Sequence, residues 1–343
     1  MKASRPHGRA AWWFAAGLWL SLLPLASQAA MNFDPGQHDD VAALIDELEA
    51  KGIERSWLVD VMQGAEYQQG VLDAMAGAAE RRLRWDEYRE IFLQPERIER
   101  GVDFIEAHRE AFARVEAEYG VPPEVVAAII GVETSYGRHT GRHRVIDSLS
   151  TLAFHHPSRG RFFRGELLAF LEITREQEVD PGSLKGSYAG AMGYPQFIPT
   201  SYRAYAVDFD GDSKRDLWDN PVDAIGSVGN YFARHGWRAD APIYSEALGP
   251  DELPREVAFN QTQPPYETLE ALAEHGIRPA REGEFDGDRR VIPLALDHAD
   301  KTYSYRLGHD NFYVITRYNH SHLYAMAVTE LAEAILAKWE GGA

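Results

Sequence analysis

Glu133 lies in the run AAIIGVETSYG (127–137), a carboxyl set among apolar and small residues. A carboxyl drawn out of water loses hydration of its charged form, so its pKa climbs toward neutrality, where one group can both donate and recover a proton. That is the equipment of general acid/base catalysis. The competing reading is a core glutamate satisfied by an arginine or a backbone amide, since buried glutamates are rare unless paired or functional. Downstream, GSYAGAMGYPQF (186–197) interleaves small residues with Tyr188, Tyr194, Gln196 and Phe197. Small residues admit close backbone approach, while rings and an amide supply stacking faces and hydrogen bonds. Such a surface suits a sugar; a plain glycine-rich loop would account for the glycines but not for the aromatics.

A second constellation is DFDGDSKRDLWD (208–219), which places carboxylates at loop positions 1, 3, 5, 9 and 12, the oxygen-ligand spacing of an EF-hand calcium loop. Asp208, Asp210 and Asp212 are the expected side-chain ligands, with the backbone carbonyl of Lys214 at position 7. Aspartates this dense repel one another unless a cation compensates them, although a solvated acidic turn is the bland alternative. Two departures are visible: Ser213 stands where a glycine is usual, and Asp219 where a bidentate glutamate is usual. Asp223, one helical turn further on, can reach back in place of Asp219. The turn EFDGD (284–288) has no downstream ligands and reads as a surface turn. His155 with His156, and His320 with His322, complete no transition-metal ligand set at recognisable spacing.

The elements that position these groups are mainly helical. Pro122 and Pro123 suit a helix start, Glu124 its positive end, and Gly137 a stop just beyond it. Val126, Ile129, Ile130 and Glu133 then fall at i, i+3, i+4 and i+7, along one buried stripe. Other helical patterns cover 41–49, 57–62, one long segment 96–118, 222–235 before Gly236, and 322–339 with Tyr324, Val328 and Leu331 inward. Between 239 and 306 the character changes: five prolines from Pro242 to Pro265 and β-prone runs at 290–294 and 302–307 predict a small β-rich insertion. The expected organisation is a signal peptide (1–29), an N-terminal helical region (30–119), a catalytic core (120–238), the insertion (239–306) and a C-terminal segment (307–343) that completes the cleft.

The 35 basic and 53 acidic residues leave a formal charge of -18, which argues against nucleic acid or an anionic membrane as partner. Lys2, Arg5 and Arg9, the apolar run 11–25 and Ser27-Gln28-Ala29 read as a cleavable signal peptide, whose loss takes the mature charge to -21 (-18 minus 3). That run is shorter than the roughly 20 residues a membrane span needs. With no cysteine there is neither a disulfide nor an N-terminal lipid attachment point. The expectation is a soluble, exported, periplasmic monomer.

Five ordered motifs, VETSYG (132–137), GSYAGAMGYPQF (186–197), VDFDGD (207–212), DAIGSVGNYF (223–232) and TRYNHSHLYAMAV (316–328), resemble the lytic murein transglycosylase B family across most of the mature chain. The resemblance implies a mainly α, α+β fold: a goose-type-lysozyme-like helical core with additional helices, a small β insertion and one structural calcium loop, with no organic cofactor. It implies peptidoglycan glycan strands as substrate, proteins of cell-wall synthesis or hydrolysis as further partners, and Glu133 as sole acid/base in cleaving the β-1,4 bond between N-acetylmuramic acid and N-acetylglucosamine, leaving a 1,6-anhydro end. By position in the motifs, Arg159, Ser187, Gln196, Phe197, Tyr318, Asn319 and Tyr324 are the implied sugar-cleft residues; the family's other cleft arginine is Ser158 here. The metal positions match Asp208, Asp210, Asp212 and Lys214. The distal carboxylate matches Asp223, while Asn220 as an extra loop residue leaves Asp219 open.

Glycosidases ordinarily set two carboxylates across the scissile bond. The sequence offers one convincing candidate, so the substrate itself must supply the nucleophile. A hydrolytic muramidase would need a second carboxylate such as Asp147 to position water. A different class of reading, a calcium-dependent cell-wall-binding module, leaves Glu133 merely structural.

Overall fold

The computed structural model describes residues 32–78, 83–281, 283 and 285–342; the expected signal peptide lies outside them. The chain runs through α1 (Asp39–Ala50), α2 (Arg55–Gln63), α3 (Gln69–Ala78), α4 (Trp85–Phe92), α5 (Pro95–Ala107), α6 (Arg109–Tyr119) and α7 (Pro123–Thr134). A short ribbon of β1 (His143–Arg144) and β2 (Lys185–Gly186) brackets α8 (Val145–His155) and α9 (Gly160–Glu176), and α10 (Pro199–Tyr205) and α11 (Pro221–Arg234) follow. Next come β3 (Tyr244–Leu248), β4 (Glu267–Thr268), α12 (Leu269–Glu274), β5 (Arg278–Pro279), β6 (Arg290–Asp297) and β7 (Tyr303–Gly308), then α13 (Asp310–Tyr318) and α14 (His322–Gly341).

Packing divides these elements among three apolar cores. The first joins α5, α6, α7, α11, α13 and α14 around Phe112, Ile129, Phe232, Phe312 and Val328. The second joins α1, α2, α8 and α9 around Leu44, Leu58, Leu149 and Phe170. The third is small and belongs to the sheet, which is antiparallel in order β4-β6-β7-β3-β5. Strand β6 is buried on both faces: Ile292, Leu294 and Leu296 point to the helical core, and Val291 and Ala295 to the sheet's own cluster. That period of two docks the sheet on the helices.

Two expectations need correction. The segment 96–118 is two helices, broken at His108 (φ -124°, ψ 30°), because α5 packs on α7 and α14 whereas α6 turns away to pack on α11. Helix α7 is also no amphipathic stripe: Val125 to Gly131 are all buried, so neighbours sheathe it on nearly every side. It stops at Thr134, three residues before Gly137, as Ser135 turns left-handed. Helix α13, which carries Tyr318, has no counterpart in the sequence reading. Among the described residues no helix is long and apolar enough to cross a membrane.

Candidate active site

Glu133 occupies the last turn of α7 and is half-buried, its Oε1 accepting a 2.6 Å hydrogen bond from the Tyr324 hydroxyl. Burial pushes its pKa up to about 7, and the Tyr324 bond pulls in the opposite direction by favouring the carboxylate. No other carboxylate contributes to that shift. Tyr324 is held at the start of α14, where the Ser321 side chain caps its backbone N–H at 3.3 Å. Its ring lies nearly parallel to that of Tyr318, at 6.4 Å and 11°, and the Tyr318 hydroxyl donates to the Pro195 carbonyl at 2.6 Å. Burial first, and then the nearby Glu133 charge, hold both phenols well above their ordinary range. Both stay neutral donors.

A third ring, Tyr88 of α4, also faces this group: burial and then the Glu133 charge push its phenol up to about 12. Sequence reasoning missed it. The only available signal was the spacing of Trp85, Tyr88 and Phe92, which reads as an ordinary apolar helix face.

Behind the carboxyl the backbone is strained. Ser135 (φ 51°) and Tyr136 (φ 61°) both adopt the left-handed region ahead of Gly137 (φ 82°), a conformation that costs a side-chain-bearing residue about 1–2 kcal/mol. Specific contacts impose it. The Tyr136 hydroxyl donates to the Arg97 carbonyl at 3.0 Å, and Arg97 Nη1 donates to the Gly131 carbonyl at 2.6 Å. The Tyr136 ring passes so close to α7 that a Cβ on Gly131 would stand 2.6 Å from its hydroxyl oxygen. On the other side, Thr134 Oγ1 donates to the Tyr194 carbonyl at 3.0 Å and accepts from Gly137 N–H at 3.0 Å. The end of α7 is thereby clamped between α5 and the 186–197 loop, which fixes the direction of Glu133.

In that loop Ser187 Oγ accepts from the Ala189 and Ala191 amides at 3.2 and 3.0 Å, so its hydroxyl hydrogen is left to point elsewhere. Gln196, at φ 51°, donates through Nε2 to the Thr140 and Gly193 carbonyls at 3.1 and 2.9 Å, and its Oε1 takes no part. Both residues thus keep a free polar atom on a fixed frame. Phe197 is a correction: it is 3% exposed and packs against Tyr231 and Tyr318, so it supports the floor and offers no stacking face. Tyr324, 2% exposed, likewise acts through its hydroxyl on Glu133. Asn319 and Arg159 are exposed; the Arg159 guanidinium lies over Phe162 and Phe163 at 4.7 and 5.0 Å, and no described hydrogen bond or ring contact ties either residue to Glu133.

Asp147 is not available to position water. It is buried, accepts the Glu66 amide at 2.9 Å and pairs with Arg144 at 3.1 Å, locking the α2–α3 turn to α8. The histidines are also engaged or isolated: His156 Nδ1 accepts the Ser158 and Arg159 amides at 3.2 and 3.0 Å, and His320 bonds Arg317 at 2.9 Å.

In the acidic loop, ligand oxygens of Asp208, Asp210 and Asp212 lie within 4.8 Å of one another. Backbone amides aim them: Asp208 accepts from Gly211, Asp212 and Ser213 at 2.7, 3.1 and 2.8 Å, and Asp212 from Lys214 at 2.8 Å. Ser213 takes the left-handed conformation of the usual glycine (φ 74°). Neither Asp219 nor Asp223 joins the trio. Asp219 is exposed, whereas Asp223 is fully buried and accepts the Phe209 and Asp216 amides at 2.7 and 2.8 Å, clasping the two ends of the loop. Asn220, unforeseen, donates to Asp210 at 2.8 Å and caps α11.

The profile of the Transglycosylase SLT domain family matches residues 36–333. The membrane-bound lytic murein transglycosylase B of Escherichia coli is 40% identical over 325 residues, covering 92% of this chain and 87% of its own length. Among solved structures, soluble lytic transglycosylase SltB1 from Pseudomonas aeruginosa is 48% identical with a TM-score of 0.81, covering 88% of this chain and 99% of that one. Escherichia coli lytic transglycosylase Slt35 in complex with calcium is 40% identical with a TM-score of 0.81, covering 90% and 96%. The chain belongs to the Transglycosylase SLT domain family, as one of its peptidoglycan-cleaving lytic murein transglycosylases.

Proposed function

We propose that Glu133 is the single acid/base of this enzyme. The supporting observation is a carboxyl with a pKa of about 7, one hydrogen-bond partner and no second carboxylate acting on it. Protonated, Glu133 gives its proton to the glycosidic oxygen between N-acetylmuramic acid and N-acetylglucosamine as the C1–O bond breaks. The substrate's N-acetyl carbonyl stabilises the cation at C1. Glu133, now a carboxylate steadied by the Tyr324 hydroxyl, takes the proton of the C6 hydroxyl as its oxygen bonds C1, giving the 1,6-anhydro end. No water is consumed, and Glu133 finishes protonated. Ser187 and Gln196, with Tyr318, Asn319 and Arg159, are the proposed sugar contacts.

The acid step sets the pH dependence. kcat/KM on purified murein should be level below pH 7 and fall about tenfold per pH unit above it, as the protonated form is lost. A rate that rises through pH 7 to 9 would contradict the assignment. Tyr324→Phe removes the bond that favours the carboxylate, so the Glu133 pKa rises and the alkaline fall should move upward by about one to two pH units, given that a hydrogen bond to a charged group is worth about 1.5–3 kcal/mol. An unshifted profile would remove Tyr324 from this role.

For the acidic loop we propose a structural calcium held by Asp208, Asp210, Asp212 and the Lys214 carbonyl, with either Asp219 or Asp223 as the distal group. The all-oxygen donor set, oriented before binding by backbone amides, fits a hard cation. Calcium at a hundredfold excess over its Kd stabilises a fold by about 2.7 kcal/mol. EDTA should therefore lower the Tm, and Asp210→Ala with Asp212→Ala should abolish that response; a Tm indifferent to EDTA in wild type would reduce the loop to a solvated turn. Export as a soluble periplasmic protein after removal of residues 1–29 completes the reading, supported by the cysteine-free sequence and its leading motif.

A further inference from the structure

The acidic loop and the catalytic turn meet at one residue. Tyr194 donates its backbone N–H to the Leu217 carbonyl at 2.8 Å, and its own carbonyl accepts the Thr134 hydroxyl at 3.0 Å, one residue from Glu133. The two backbones are in close contact there: a Cβ on Gly193 would stand 2.1 Å from the Leu217 carbonyl oxygen. Pro195 adds a second tie, since its carbonyl accepts the Tyr318 hydroxyl, and the Tyr318 ring stacks on Tyr324. Burial, and then the charges of Asp219 and Asp216, hold the Tyr194 phenol above its ordinary range, so the loop acts on the ring as well as on the backbone.

The Leu217 carbonyl in turn takes its position from the loop. Asp223 accepts the Phe209 and Asp216 amides at 2.7 and 2.8 Å, which joins the start of the loop to the residue before Leu217. The Arg215 amide donates to Gln177 Oε1 at 2.9 Å, and Asp216 Oδ1 accepts the Trp218 and Asp219 amides at 2.9 and 3.0 Å. Within this frame Asp208, Asp210 and Asp212 repel one another unless a cation compensates them. Lys214, whose carbonyl is the fourth proposed ligand, lies three residues before Leu217. Filling the trio therefore settles, and emptying it strains, the segment to which Tyr194 is bonded.

We propose that Leu217 and Tyr194 are positioning residues for Glu133: through their hydrogen bond the order of the acidic loop reaches the last turn of α7, so that a cation in the loop governs the chemical step as well as stability. The inference rests on the calcium reading above and adds to it a consequence for catalysis. Neither residue moves a proton in the reaction; each acts through the Thr134 hydroxyl on the direction of the carboxyl.

Two readouts test it, both well below the melting range of the calcium-free protein. Amide hydrogen exchange needs no turnover: replacing calcium by EDTA should speed exchange of the Tyr194 amide about tenfold as its bond to Leu217 loosens. The same change should lower kcat on purified murein about tenfold, because a displaced carboxyl loses its alignment with the bond being broken. Thr134→Val keeps the size of the side chain but cuts the link from the Tyr194 carbonyl to α7, so its kcat should be low with calcium and change about threefold or less with EDTA, while its Tm still responds. Thr134→Ser keeps the hydroxyl and should behave as wild type. A wild-type kcat, or a Tyr194 exchange rate, that ignores EDTA while the Tm falls would overturn the coupling and leave the calcium reading standing. A full calcium response of kcat in Thr134→Val would also overturn the coupling. A wild-type Tm that ignores EDTA would overturn both readings together.

Discussion

Glu133→Gln should lower the rate of murein solubilisation about 10⁴-fold, the upper end of what one positioned acid/base contributes, because this residue serves in both halves of the reaction. The substitution keeps the size of the side chain and an oxygen to accept the Tyr324 hydroxyl, so binding to murein should survive. Its effect on stability has a defined sign. Glu133 titrates near pH 7 in the fold, above the ordinary 4.5, so the folded protein holds its proton more tightly than the unfolded chain does and loses stability as pH rises through that window. Glutamine has no such loss. At pH 8 the variant should melt at or above the wild-type temperature, and a thermal scan beside the turnover assay separates a chemical defect from a folding one. Activity within tenfold of wild type would remove Glu133 from the mechanism.

Gly137→Ala should destabilise the fold by about 3 kcal/mol and impair cleavage as well. Gly137 sits at φ 82°, and an added Cβ would lie 2.2 Å from the Tyr194 ring. The left-handed backbone costs a side-chain residue about 1–2 kcal/mol, and forcing a methyl into a packed site about 1–3 kcal/mol. Moving the Tyr194 ring also disturbs its carbonyl, which anchors Thr134 immediately after Glu133. Denaturant midpoints read the stability change, and kcat measured well below the melting range reads the displaced carboxyl. A change under about 0.5 kcal/mol would mean that the clamp behind Glu133 yields freely.

The chemistry-bearing residues were legible because each is marked by a local conflict. Glu133 breaks an apolar helix, Gln196 and Tyr194 interrupt small residues, and Asp208, Asp210 and Asp212 crowd like charges within one turn. Helix starts were legible at Pro122–Pro123, and strands β6 and β7 from their β-prone runs. What depends on partners distant in the chain was not. Phe197 in isolation reads as a stacking ring, and only the positions of Tyr231 and Tyr318 show that it is buried. Asp147 reads as a spare carboxylate until the Glu66 amide and Arg144 are seen to occupy it. The break at His108 arises because α5 and α6 pack on different helices, and local propensity carries no trace of that choice. The Glu133 charge acts on the Tyr88 phenol because α4 packs against α14.

Mass spectrometry of the soluble fragments released from purified murein by wild-type protein tests the central claim most directly. Ring closure by the C6 hydroxyl in place of attack by water predicts muropeptides lighter by one water than hydrolytic products, with no reducible end and no ¹⁸O taken up from labelled solvent. Fragments with reducible N-acetylmuramic acid ends that carry solvent oxygen would contradict it.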